Sequence, residues 1–151
     1  MKSFHLLAFS GAVAFMLSGL PAGVPQAATE EPINMSGVQV EPQQQNGITY
    51  LSGGIGLDES RAIHQAKGYN LHMTFAIGPD NKYVPDVDVV VQNMQGSSVL
   101  KLSQAGPIVY VQLPPGKYSV VAARNGQEKR NDAEIKGGAI RDLVFHWNDG
   151  Y

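Results

Sequence analysis

From Tyr69 to Trp147 the chain repeats one device, a short run of alternating apolar and polar side chains closed by Gly, Pro or Asn. The clearest run is YNLHMTFAI. It sets Tyr69, Leu71, Met73, Phe75 and Ile77 on one side and Asn70, His72, Thr74 and Ala76 on the other. A period of two belongs to a strand with one face on a core and the other on solvent. GPDNKY then turns the chain, and VPDVDVVVQN follows with Pro85 at its entry, where no ladder donor is needed. SVLKLS, IVYVQL, KYSVVAAR, QEKRNDAEI and AIRDLVFHW complete the series. Asn125-Gly126 between two of these runs is a hairpin signal, because both positions accept positive φ. The spacing predicts seven to eight strands in an all-β, antiparallel sandwich rather than alternating βαβ units. In LVFHW, Leu143, Phe145 and Trp147 alternate together, which places Trp147 in the core.

The 151-residue chain has no cysteine, so a hydrophobic core must hold this sandwich without cross-links. The N-terminus does not contribute to that core. Lys2, the apolar run LLAFSGAVAFML and the small-residue end SGLPAGVPQAA have the order of a secretory signal peptide. The run is shorter than the roughly 20 residues a membrane span needs. Cleavage after Ala28 is expected, and with no cysteine at the cut the product carries no lipid anchor. Residues 29–47, TEEPINMSGVQVEPQQQNG, are polar and broken by proline and glycine; they read as a flexible leader. The β-sandwich domain is therefore placed at 48–151, and the protein in the periplasm. The formal net charge is −2 and no basic run is present, so the electrostatic footprint of nucleic-acid binding is missing.

The strand ITYL leads into SGGIGLDESRAIHQAKG. Asp58 is placed to cap a short helix, Glu59 to meet its positive end, and Gly68 to stop it. A glycine-rich turn before a helix is a familiar phosphate cradle. This one lacks the lysine of a P-loop, puts Glu59 where a dinucleotide fingerprint has its third glycine, and enters its helix through two acids. It reads as a backbone crossover. Gly53, Gly54, Gly56, Asp58 and Glu59 are retained as a possible interaction loop.

Three pieces of the chain, IGPDNKYVPDVDVVVQN, GPIVYVQLPPGKYSVVAA and NGQEKRNDAEI, resemble the carboxypeptidase regulatory-like domain, a small transthyretin-like β-sandwich. The resemblance covers about half of residues 29–151, from Met73 to about Ile135. It implies a non-catalytic accessory module, standing alone here without an enzyme domain beside it. Independently of that resemblance, LPPGKY is a structural turn. Pro114 and Pro115 enter it, Gly116 supplies positive φ, and Tyr118 folds inward to offer its hydroxyl to a backbone acceptor.

Candidate chemistry is sparse. His72 and His146 would share a face if their strands paired, which makes them the candidate copper or zinc ligands. Asp86 and Asp88 lie two apart at a strand entry, where solubilising edge charges are common. No G-x-S-x-G elbow accompanies the serines, and no catalytic cysteine exists. Exposed Tyr50, Tyr83 and Tyr151 are candidate stacking surfaces. The expectation is a periplasmic, non-enzymatic binding module without cofactor, whose partner is another periplasmic or cell-envelope protein. The alternative is a small-ligand binder for carbohydrate or for copper or zinc.

Overall fold

The structure is a computed structural model and describes residues 40–148. The expected signal peptide, residues 29–39 of the expected leader, and Tyr151 lie outside the described residues. In chain order the elements are β1 (Gln43–Gln45), β2 (Ile48–Gly53), α1 (Leu57–Gln65), β3 (Leu71–Ile77), β4 (Lys82–Tyr83), β5 (Val87–Asn93), β6 (Ser98–Ala105), β7 (Ile108–Gln112), β8 (Gly116–Arg124), β9 (Gln127–Ile135) and β10 (Arg141–Trp147). They form a two-sheet β-sandwich. One sheet has the order β1-β2-β7-β3-β10, with β4 paired to the end of β3; the other is β6-β5-β8-β9.

Alternation decides which residues meet between the sheets. Met73, Phe75 and Ile77 from β3 face Val89 and Val91 from β5, Leu100 from β6 and Val120 from β8 in one buried cluster. Leu143, Phe145 and Trp147 of β10 close it, and the Trp147 indole is 1% exposed. Its Nε1–H donates to the Gln127 carbonyl at 3.2 Å, so the ring both fills the core and ties β10 to β9. Tyr69 departs from the period-two reading. It lies before β3 and packs beside Tyr110, at 6.3 Å between ring centroids, in a second cluster with Leu51, Ile63 and Ile108. That second cluster is where α1 docks, through the fully buried Ile63.

Among the described residues every strand pairing is antiparallel except one. β10 runs parallel to β3, from Arg141↔Leu71 to Trp147↔Ile77. β9 and β10 belong to different sheets, so no tight hairpin dictates the direction of β10, and the long connection permits a parallel landing. Hairpins dictate it elsewhere. Asn125 and Gly126 take φ of 49° and 78° and join Arg124↔Gln127 across β8 and β9.

Residues 43–47, expected in the leader, belong to the sheet instead. Asn46 and Gly47 take φ of 52° and 76°, the same two-residue turn, and fold β1 back on β2. The Gln45 carboxamide then reaches the other sheet: Nε2 donates to the Lys101 carbonyl at 2.9 Å and Oε1 accepts the Lys101 N–H at 2.5 Å. One side chain thus occupies the free edge of β6 as a neighbouring strand would. Asn70 makes the same two-bond clasp just beyond the end of β7, with Nδ2 donating to Leu113 O at 2.7 Å and Oδ1 accepting Leu113 N–H at 2.8 Å.

Candidate functional site

The glycine turn between β2 and α1 is built around Glu59. Its Oε1 accepts the Gly54 N–H at 2.9 Å, and Ser60 Oγ donates to the carbonyls of Gly54 and Gly56 at 2.9 and 2.8 Å. Asp58 does not cap the helix. Gly56 is the N-cap residue, at φ 90°, with no side-chain cap bond, and Asp58 sits exposed one position into the first turn. The helix also ends earlier than Gly68, at the extended residue Ala66. Glycine is required at two places for packing. A Cβ on Gly53 would collide with the Glu59 carboxylate, and one on Gly106 would stand 2.5 Å from the Gly53 carbonyl oxygen. The crossing of these two backbones is tied by Gly106 N–H, which donates to Ser52 Oγ at 3.0 Å.

This crossing sets Pro107 beside the glycine turn and opens a cleft of about 600 Å³. Gly54, Ile55, Leu57, Tyr83, Pro85 and Pro107 line it, and its walls are mostly apolar. Ile55 and Leu57 are 66% and 64% exposed and Tyr83 is 42% exposed, so three large apolar side chains gather at one solvent-facing rim. Isolated exposed apolar residues are ordinary, whereas a group of them around a concavity is a binding feature. The sequence reading marked Gly53, Gly54, Gly56, Asp58 and Glu59. Between those glycines and acids stand Ile55 and Leu57, the two exposed apolar residues that line the cleft.

The other candidates lie apart. His72 and His146 do share the outer face of paired strands, but His146 stands opposite Ala76, four residues along β3 from His72. At about 3.3 Å per residue that is roughly 13 Å, too far for one ion. Among the described residues no group of three metal-ligating side chains forms. His146 Nε2 bonds the Gly78 carbonyl at 2.7 Å. His72 stacks on Tyr110, with ring centroids 3.6 Å apart and planes within 5°, and its Nδ1 lies 3.5 Å from Asp142. Burial lowers the His72 pKa, against the opposing pull of Asp142.

The remaining groups serve the fold. Asp88 Oδ1 accepts the Gln104 N–H at 3.0 Å where β5 and β6 slip register, and Gln104 takes φ 56° there. Asp86 occupies left-handed backbone, φ 61°, before β5. Tyr118 is buried, and its hydroxyl donates to the Pro114 carbonyl at 2.7 Å. Gly116 differs from expectation: its φ of 155° is far from the value of about 80° a type II turn needs, and it opens β8. Tyr50 is buried and its hydroxyl donates to Gln43, so it offers no stacking face.

These features define a small two-sheet β-sandwich with an apolar cleft at its glycine turn. No protein-family model matches the sequence, and no curated protein matches it. Among solved structures the chain is similar to BcpA, the major pilin subunit of Bacillus cereus, at 12% identity and a TM-score of 0.41. That match covers 53% of this chain and 29% of the pilin, so it spans less than a third of the pilin's length. No helix among the described residues is long and apolar enough to cross a membrane.

Proposed function

We propose that this chain is an exported, non-catalytic module of the periplasm that acts by contact with another cell-envelope protein. The observation that carries the reading is the apolar rim of Ile55, Leu57 and Tyr83 around the cleft with Pro85 and Pro107. A fold without disulfides keeps such side chains in solvent at a cost, and a partner's apolar side chains, presented on an extended segment, relieve it. Residues 1–28 are the export signal, and processing leaves Thr29 as the first residue. The motifs LPPGKY and NGQEKRNDAEI support the carboxypeptidase regulatory-like resemblance, whose members act as accessory modules. The ligand-binding alternative draws no support from His72 and His146, because the register separates them.

The test is site-specific photo-cross-linking in cells of the native host. A photoreactive residue at Leu57 is expected to give a discrete adduct, and one at the exposed Lys129 of β9 none. The Leu57 adduct is expected to disappear when Ile55 and Tyr83 are both changed to Asp. Indistinguishable patterns at positions 57 and 129 would refute the cleft as the contact. N-terminal sequencing of the protein from periplasmic extract checks export and is expected to begin at Thr29.

A further inference from the structure

The described strands leave four sheet edges, and three of them are guarded. β1 is only three residues long. The free edge of β6 is occupied by the Gln45 carboxamide, with Asn46 Nδ2 donating to Val99 O at 3.4 Å. β9 carries Glu128, Lys129, Arg130, Asp132 and Glu134, a charge-laced edge of the kind that discourages pairing. β10 has no such protection. Nothing among the described residues pairs with its outer side.

The hydrogen bonds of β10 fix which of its groups face outward. Arg141 N–H donates to Asn70 O at 2.8 Å, and Trp147 O accepts Gly78 N–H at 3.0 Å. In a parallel ladder alternate residues bond one neighbour. Arg141, Leu143, Phe145 and Trp147 therefore bond β3, and the N–H and C=O groups of Asp142, Val144 and His146 point to the open side. Their side chains share the outer face of the sheet, and Val144 is 62% exposed.

We propose that this edge pairs with the same edge of a second copy of this chain, antiparallel, with Val144 on the two-fold axis. Only residues with outward-pointing backbone groups can pair, so Asp142, Val144 and His146 must meet one another. The register centred on Val144 is the one that uses all three. It sets Val144 against Val144 and, twice, Asp142 against His146 of the partner copy. An apolar pair between two acid–base pairs is favourable across strands. The same operation on β9, centred on Asn131, adds two Arg130–Asp132 pairs but also sets Glu128 against Glu134, which repel, and it has no apolar pair at its centre. The paired edges join the two five-strand paths into one continuous sheet. The contact is small, so the dimer is a weak and concentration-dependent one. The inference is independent of the cleft, whose rim residues are not on β10.

Because the chain has no cysteine, a single introduced thiol reports the geometry. In a hydrogen-bonded antiparallel pair the Cα atoms are about 5.5 Å apart, within disulfide range. Val144→Cys is expected to form a disulfide dimer under mild oxidation at least about tenfold faster than Lys129→Cys, through its high effective concentration. Sedimentation velocity is expected to show dimer rising with concentration in the unmodified protein. Val144→Lys, outward-facing and harmless to the core, is expected to be monomeric throughout with unchanged circular dichroism. Equal oxidation rates at positions 144 and 129 would overturn the proposal. So would a protein still monomeric at about 1 mM, or a dimer that survives Val144→Lys.

Discussion

Replacing Glu59 by Ala tests whether the α1 turn is held as the hydrogen bonds indicate. The carboxylate accepts the Gly54 N–H at 2.9 Å and is partly buried. A hydrogen bond to a charged group contributes about 1.5–3 kcal/mol. Its place in the first turn adds about 0.5 kcal/mol through the helix dipole. Partial solvent access discounts the sum, so Glu59→Ala is expected to cost about 2 kcal/mol. That corresponds to a fall in Tm of about 8 °C for a domain of this size. Glu59→Gln keeps the acceptor and loses the charge, and is expected to cost about half as much. Asp58→Ala is the contrast. Asp58 is exposed and makes no cap bond, so its loss is expected to stay within about 0.5 kcal/mol. Urea unfolding followed by the buried Trp147 gives all three values, and amide exchange at Gly54 locates the change. Were Asp58→Ala as costly as Glu59→Ala, Asp58 would be the working cap and the Glu59 argument would fall.

Tyr118→Phe keeps the buried ring and removes the hydroxyl bonded to Pro114 at 2.7 Å; chemical denaturation is expected to show a loss of about 1 kcal/mol, since the exposed Pro114 carbonyl regains water. Gly106→Ala forces a methyl against the Gly53 carbonyl and is expected to cost about 2 kcal/mol by overpacking, measured as a lower urea midpoint with an unchanged slope. For His72, burial holds the folded pKa below the ordinary 6.5, so the unfolded chain takes up a proton first. Its contribution is complete above that value and is lost as pH falls through 6.5 toward the folded pKa. Thermal melts are expected to fall over that window, less so in His72→Phe, and more steeply in Asp142→Asn, which removes the group opposing the shift.

Local patterns carried the strands and their faces, because a side-chain period of two is imposed by the backbone itself. From Leu71 onward the core sides of β3 and β10 follow the letters, with Ala76 the exception: it falls on the polar side of the alternation and is buried. What failed did so for reasons of context. Asn46-Gly47 is the same dipeptide as Asn125-Gly126 and makes the same turn, yet the glutamines around it carry no apolar alternation. One of them, Gln45, matters through side-chain bonds to a strand 56 positions away, which no local window contains. The helix start misled because Asp58 has the right residue type for a cap, while the backbone crossing at Gly106 fixes Gly56 in that place and brings Glu59 back onto Gly54. The parallel partner of β10 was illegible, since alternation says which face is buried and nothing about which neighbour it meets.

The glycine turn and the cleft are one construction. Gly53 lets the Glu59 carboxylate lie against the strand end, and Gly106 lets the β6–β7 connection press on the same backbone. That double contact leaves no room for α1 to begin earlier or to slide. Ile55 and Leu57 are therefore fixed facing Pro107 and Tyr83 rather than folding down onto Ile108, which Gly54 already contacts closely: a Cβ there would meet its side chain at 3.0 Å. The core beneath is full, so the two apolar side chains stay at the surface. Exposure at this rim is thus a consequence of packing below it, and a variant that relieves the packing would bury Ile55 and close the cleft.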